Sequence, residues 1–248
     1  MLPIVTWWEA ILLAFGGLFA GAINTVAGGG SMLTVPLLVL AGVPGNDANG
    51  SNRLGILTST AAAAVSFRRL GVDGLSRSLP VLAPTLVGSF IGSVTISRLS
   101  DGAFEVLFGL LMLPLVVLTV RKPKAREGVR PWPLWVTVLV FGLIGVFGGA
   151  FQAGIGLVLL AALTRAGFDL VTANNVKVIV SLTVTVVALP VFLLSGRIVW
   201  LPAIVLAIGF MAGGWVGAHV AVRGGERVIR SVMVVAAIVL SGRLIGLY

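Results

Sequence analysis

Four stretches of this chain carry no Asp, Glu, Lys or Arg: Ala10 to Asn46, Ser78 to Ser97, Pro131 to Thr164 and Ile198 to Val222. A helix that crosses a bilayer needs about 20 apolar residues. Each stretch meets that length, and two are long enough for more than one pass. Only 10% of the 248 residues are charged and 58% are hydrophobic, whereas a soluble domain carries about a quarter charged residues. So few charges cannot clothe an aqueous surface, so the solvent is lipid. The expected fold class is an all-α polytopic membrane protein.

Helical segments are expected near 8–27, 31–42, 52–67, 79–97, 103–120, 134–152, 156–166, 174–194, 199–220 and 228–247. Met1-Leu2-Pro3 lacks a basic start, and the first run is too long for the apolar core of a signal peptide. One linker stands out, the basic run from Arg121 to Pro131. It divides the chain into an N-terminal transmembrane repeat, 1–120, and a C-terminal one, 132–248. The two sides resemble each other in order. Ala48-Asn49-Gly50-Ser51-Asn52-Arg53 matches Thr172-Ala173-Asn174-Asn175-Val176-Lys177. Phe67 and Gly71 match Phe192 and Gly196; Gly88 and Gly92 match Gly213 and Gly217; Arg98 and Asp101 match Arg223 and Glu226. Most of these pairs share one offset, which points to an internal duplication with about five segments per half.

An odd number of crossings per half turns the second half upside down, giving an inverted repeat. Loop charge agrees. A cytoplasmic linker places Arg68, Arg69, Arg77 and Arg223, Arg227, Arg230 on the same side, as the positive-inside rule requires. Both termini then face the periplasm, and Trp7, Trp8, Trp132 and Trp135 fit interfacial anchors. The expected location is the cell inner membrane. The +9 formal charge is explained by topology and anionic lipid rather than by nucleic acid. The chain has no cysteine, which excludes thiolate metal sites and cysteine nucleophiles; no cofactor is expected. The oligomeric state is open, a homo-oligomer included.

A single helix over residues 10–46 would be about 55 Å long, so it must break. Ala27-Gly28-Gly29-Gly30-Ser31 is the obvious place, and Ala153-Gly154-Ile155-Gly156 is its counterpart. Segments 31–42 and 156–166 reach about half to two-thirds of a ~30 Å hydrocarbon core; whether they cross fully or are re-entrant is open from the sequence. Broken helices at membrane depth leave backbone groups unpaired, which is tolerated only where protein or a watery cavity satisfies them. Helix N-termini facing such a cavity favour anions. Close packing through small residues is the alternative. Asn24 precedes one break and Gln152 the other, each an amide that either lines a path or ties helices together.

Asn49, Asn52 and Arg53 share a helical face in one half; Asn174, Lys177 and Ser181 do so in the other. Asn175 belongs to the same polar motif. Arg53 lies about 22 Å of helix from Arg68, inside the hydrocarbon layer, where a cation marks function by default. Lys177 either faces the path or snorkels to the interface. The eight carboxylates all fall near segment ends or in loops, away from the positions that cation carriers use. Movement of an anion therefore fits better than that of a cation. His219, the one histidine, is expected to pack.

Together, Gly17-Leu18-Phe19-Ala20-Gly21, Gly28-Gly29-Gly30-Ser31-Met32-Leu33-Thr34-Val35-Pro36 and Ala48-Asn49-Gly50-Ser51-Asn52-Arg53-Leu54 resemble the TauE/SafE sulfite exporter family, also called the toluene-sulfonate uptake permeases. The likeness covers nearly the whole chain. The second half lacks the full glycine triplet and the following proline. The resemblance implies movement of sulfite, sulfonates, sulfoacetate or another sulfur-containing oxyanion, by rocking of one half against the other or through a channel-like path. Two other readings remain at this stage. One is a scaffold whose polar faces are simply buried. The other is an intramembrane serine hydrolase using Ser31 and His219.

Overall fold

A computed structural model describes residues 7–72, 74–120 and 132–223. The basic linker 121–131 and the expected segment 228–247 lie outside the described residues. The described chain is all helix: α1 (Trp7–Val26), α2 (Ser31–Leu40), α3 (Gly45–Arg69), α4 (Leu75–Ser97), α5 (Asp101–Val120), α6 (Leu134–Ala150), α7 (Ile155–Arg165), α8 (Leu170–Leu194) and α9 (Trp200–Val222). Four of these, α1, α4, α8 and α9, are long and apolar enough to cross a membrane.

The distribution of side chains is that of a protein in lipid. Leu110, Leu143, Ile208 and Phe90 lie exposed on the outside, while Asn49, Asn52, Arg53, Gln152 and Lys177 are buried. Trp7, Trp8 and Trp135 are exposed at helix starts, and Trp132 packs partly buried against a core cluster.

The long polar helices begin earlier than the sequence suggests. α3 starts at Gly45, not near 52, and α8 at Leu170, not near 174. Pro44 precedes α3, and the carboxylate of Asp169 caps α8 by accepting from the Thr172 N–H at 2.9 Å, satisfying a donor that the first turn leaves free. The motifs around Arg53 and Lys177 therefore sit two turns inside their helices, so their side chains are held by helical geometry. The breaks fall where the glycines placed them. α1 ends at 26 and α6 at 150; α2 begins at 31 and α7 at 155, an offset of 124 in both cases. α2 and α7 have 10 and 11 residues, about 15–17 Å each, or half of a ~30 Å hydrocarbon core.

Packing does not follow the division at 121–131. Ideal Cβ atoms on Gly17 and Gly21 would strike the backbone of Leu206 and Phe210, and those on Gly209 and Gly213 would strike Ala14 and Leu18. α1 and α9 thus run parallel in backbone contact. Gly88 and Gly92 meet Gly142 and Val146 in the same way, while Gly145 and Gly149 meet Thr85 and Ser89, so α4 and α6 are also parallel and close. Each half gives a helix to the other: α9 packs on α1 and α3, and α4 packs on α6 and α8. α3 and α8 cross between these bundles in antiparallel fashion, with Gly50 beside Arg197 and Phe67 packed with Val178.

Candidate functional site

The two breaks meet at the centre. A Cβ on Gly28 would lie 2.4 Å from the Gly156 Cα, and one on Gly156 the same distance from the Gly28 Cα. No solute fits between these two residues. Glycine is required because two backbones touch, and at Gly28 also because φ is +88°. On the α2 side, Gly29 O and Gly30 O accept from Met32 N and Leu33 N, and Gly30 packs against the Ala20 carbonyl. On the α7 side, Gly154 caps the helix in the left-handed region at φ +73°.

Arg53 reaches across the protein. It is 0% exposed. Its Nη1 donates to Gly148 O at 3.4 Å and to Gln152 Oε1 at 3.4 Å; its Nη2 donates to the carbonyls of Gly149 and Ala150. The guanidinium lies 4.3 Å above the ring of Phe192. Asn49 Nδ2 donates to Ala150 O at 2.8 Å. This is the C-terminal end of α6, where unpaired carbonyls concentrate partial negative charge.

Lys177 mirrors it. Also buried, at 1% exposure, its Nζ donates to Asn24 O at 3.2 Å and Thr25 O at 2.7 Å, the C-terminal end of α1. Each cation seals the broken helix of the opposite half. Both cations are seated on backbone carbonyls, and Lys177 does not snorkel outward. Partial compensation is all that the carbonyls provide. A helix end carries about half a charge against a full one on each side chain, and no carboxylate is buried among the described residues. Around Arg53 the centre therefore keeps a positive surplus.

Gln152 is not the counterpart of Asn24. It takes the place of Gly28, again at an offset of 124, and like Gly28 it has positive φ, at +60°. Among the described residues no other non-glycine does so. Its side chain links Arg53 to Thr185 Oγ1, 3.2 Å from Nε2. A glutamine held in a glycine's conformation, and buried, points to a role for the amide itself. Gln152→Gly keeps the backbone comfortable and Gln152→Ala does not. The glycine variant is expected to be the more stable of the two by about 1–2 kcal/mol, read as the order of their melting temperatures in detergent. The reverse order would remove the strained conformation.

Asn52 holds the start of α2: its Nδ2 donates to Ser31 Oγ at 2.9 Å, and its Oδ1 accepts from Thr34 Oγ1 at 2.6 Å. Ser31 is thus a structural acceptor. His219 is elsewhere, with Nδ1 3.2 Å from Ser66 Oγ and 3.0 Å from Trp215 O, so the two residues of the hydrolase reading are not brought together. Asn175 also departs from the centre, donating to Val72 O at 2.6 Å. Asn174 lines a cavity of about 50 Å³ with Val26, Phe67 and Leu160. Four buried polar atoms near the two cations have no hydrogen-bond partner: Arg53 Nε, Asn49 Oδ1, Thr25 Oγ1 and Asn174 Oδ1. Sequence reasoning missed Thr25, Thr185 and Phe192 as site residues. Phe192 was visible only as one of the repeat matches.

Residues 13–244 match the family described as Sulfite exporter TauE/SafE. The chain is 28% identical over 242 residues to a probable membrane transporter protein, ORF9, of a Sinorhizobium species, covering 95% of this chain and 93% of that one. It is 27% identical over 238 residues to the probable membrane transporter protein YfcA of Escherichia coli K12, with 94% and 88% covered. A probable membrane transporter protein of Haemophilus influenzae is 27% identical over 235 residues, with 92% and 91% covered. No solved structure matches. With buried cations at paired helix breaks and a lipid-facing exterior, the chain belongs to the TauE/SafE family and is a multi-pass membrane transporter, not an enzyme.

Proposed function

We propose that the protein moves small, sulfur-containing anions such as sulfite, sulfonates or sulfoacetate across the cell inner membrane. The observation that carries this reading is the pair of buried cations, Arg53 and Lys177, each at the break of a helix and only partly neutralised by it. The N-termini of α2 and α7 add positive partial charge at the same place. An anion gains from this surplus, and a cation is repelled. The unpaired Arg53 Nε, Asn49 Oδ1, Thr25 Oγ1 and Asn174 Oδ1 are polar atoms free to take part when a solute passes. The substrate name rests on the family description alone.

The two halves are read as an inverted repeat on the matching offsets, the antiparallel run of α3 and α8, and the reciprocal seating of Arg53 and Lys177. Sites at such repeat interfaces are the rule in secondary transporters. Because α4 and α9 are exchanged, the bodies that can rock are α1, α3, α9 against α4, α6, α8, not residues 1–120 against 132–248. A scaffold would also bury these polar faces, but its relatives would not be transporters.

Purified protein in proteoliposomes is expected to carry labelled sulfite or a sulfonate faster than lipid alone, while sodium and potassium leak at the background rate. Lys177→Met keeps the side-chain volume and removes the charge. Two charge-assisted bonds are lost, and uptake is expected to fall by about tenfold or more. Parent protein that carries no anion above background removes the proposal.

A further inference from the structure

The chain holds its two ends differently. At one end, Arg197 between α8 and α9 gathers three elements. Its Nη1 donates to Asp47 Oδ1 at 3.1 Å and to Asp101 Oδ1 at 3.4 Å; its Nη2 donates to Leu99 O at 3.0 Å and its Nε to Ser97 O at 3.3 Å. Asp47 belongs to α3, in the α1, α3, α9 bundle. Ser97 ends α4, which belongs to the other bundle, and Leu99 and Asp101 follow it at the α4–α5 corner. Asn46 strengthens the seam, its N–H donating to Asp101 Oδ1 and its Nδ2 to Ile96 O and Leu99 O. Below it Val199 N donates to Ser51 Oγ at 2.8 Å, and Gly50 touches the Arg197 carbonyl so closely that a Cβ would lie 1.9 Å away.

The opposite end is the corresponding corner of the other half. There Asn175 takes the place of Gly50 or Ser51, and Val72 that of Arg197. Among the described residues, Asn175 Nδ2 donates to Val72 O at that corner, and Gly74 packs on Asn175 so closely that a Cβ would lie 3.0 Å from its amide carbon. Beside it opens a cavity of about 630 Å³ lined by Ala64, Arg68, Asn175, Ile179 and others. The start of α9 lies tight on α3, with Thr58 Oγ1 donating to Ala207 O and Gly55 packed on Phe210.

Resting on the transport reading above, we propose that Arg197, with Asp47 and Asp101, is the latch that closes one end of the transport path, and that the conformation described is sealed there. A guanidinium bridging two bundles through two carboxylates and two carbonyls is a discrete contact, made or broken as a unit. Alternating access requires that it part when the path opens on the Arg197 side. Arg197 is a positioning residue in this scheme; it acts on the site through the bundles.

The chain has no cysteine, so a single introduced thiol reports on access without background. Ser51→Cys places it beneath the latch, where Ser51 is buried. Ala64→Cys, lining the large cavity, reports on the other end. A membrane-impermeant maleimide is applied to each face of oriented vesicles. In the otherwise unchanged protein the 51 position is expected to be protected from both faces, and the 64 position to react from the Arg68 face. Arg197→Gln is expected to raise labelling at 51 from the Arg197 face by about tenfold, the population change that loss of one charge-assisted contact produces. Arg197→Lys, which keeps the charge but not the fork, is expected to restore part of the protection. Should Arg197→Gln fail to fold, Asp47→Asn and Asp101→Asn each remove one carboxylate partner and read the same rate. Labelling at 51 that is already fast with the latch intact, or that stays slow without it, overturns the latch. The readout needs no transported solute, so a latch that opens in a protein carrying no anion leaves this inference standing and removes the transport reading instead.

Discussion

Arg53→Ala is expected to destabilise the protein by about 3–5 kcal/mol and to abolish transport. The side chain is fully enclosed and donates to three carbonyls at the end of α6 and to Gln152. Removing it takes the donor from Gly149 O and Gln152 Oε1 in a low-dielectric interior, where an unsatisfied polar group costs far more than a bond gains. It also empties a large volume beside Phe192. Arg53→Lys is the informative companion. It keeps the charge but has no planar fork with which to hold several carbonyls at once, and its stability is expected to fall between that of the parent and that of the alanine variant. Lys177→Met keeps the side-chain volume and empties no space, and it is expected to cost less than Arg53→Ala. Chemical denaturation in mixed micelles measures all three. Arg53→Ala with parent-like stability and uptake would show that the cation is incidental.

The second large effect is expected at the touching breaks, where three glycines separate two causes. Gly28→Ala meets both a positive φ of +88° and a Cβ 2.4 Å from the Gly156 backbone. Left-handed backbone costs a non-glycine residue about 1–2 kcal/mol, and overpacking typically about 1–3 kcal/mol, so about 2–5 kcal/mol is expected in total. Gly156→Ala meets the same clash from within a helix, without the φ penalty. Gly42→Ala has φ of +81° and nothing within 4 Å of the added Cβ, so it carries the φ penalty alone. The order expected from thermal unfolding is Gly28→Ala worst, with the two single-cause variants closer to the parent. A Gly28→Ala protein no less stable than Gly42→Ala would mean that the breaks are not in contact.

How much of this was legible depends on where the partner of each residue lies. Charge-free runs mark helices in lipid because the cost of a charge there is local, and the glycine clusters mark breaks because a 37-residue apolar helix is too long for any bilayer. Those features needed one segment only. The start of α3 was hidden because Gly45, Asn46, Asp47, Asn49, Gly50, Ser51 and Asn52 are poor helix formers; burial against α5 and α9 overrides them. The seating of Arg53 was hidden for a different reason. Its partners are backbone carbonyls of the other half, and a carbonyl has no letter in the sequence. The exchange of α4 and α9 was equally silent. Gly88, Gly92, Gly213 and Gly217 announce that something packs closely, but a glycine does not name its neighbour. Asp47, Asp101 and Arg197 were legible as loop charges, not as one cluster, since they lie 50 to 150 residues apart.

The reciprocal seating of the two cations has a consequence for ancestry. A chain corresponding to only one of the repeats would insert with its basic side chain stranded in hydrocarbon, at about 2.5–3.5 kcal/mol, and with the stump of its first helix uncovered. A second copy entering the bilayer the other way up cures both defects at once. On the proposed reading of the halves as an inverted repeat, the forerunner would be a molecule that paired head to tail with itself before a basic tether joined the two.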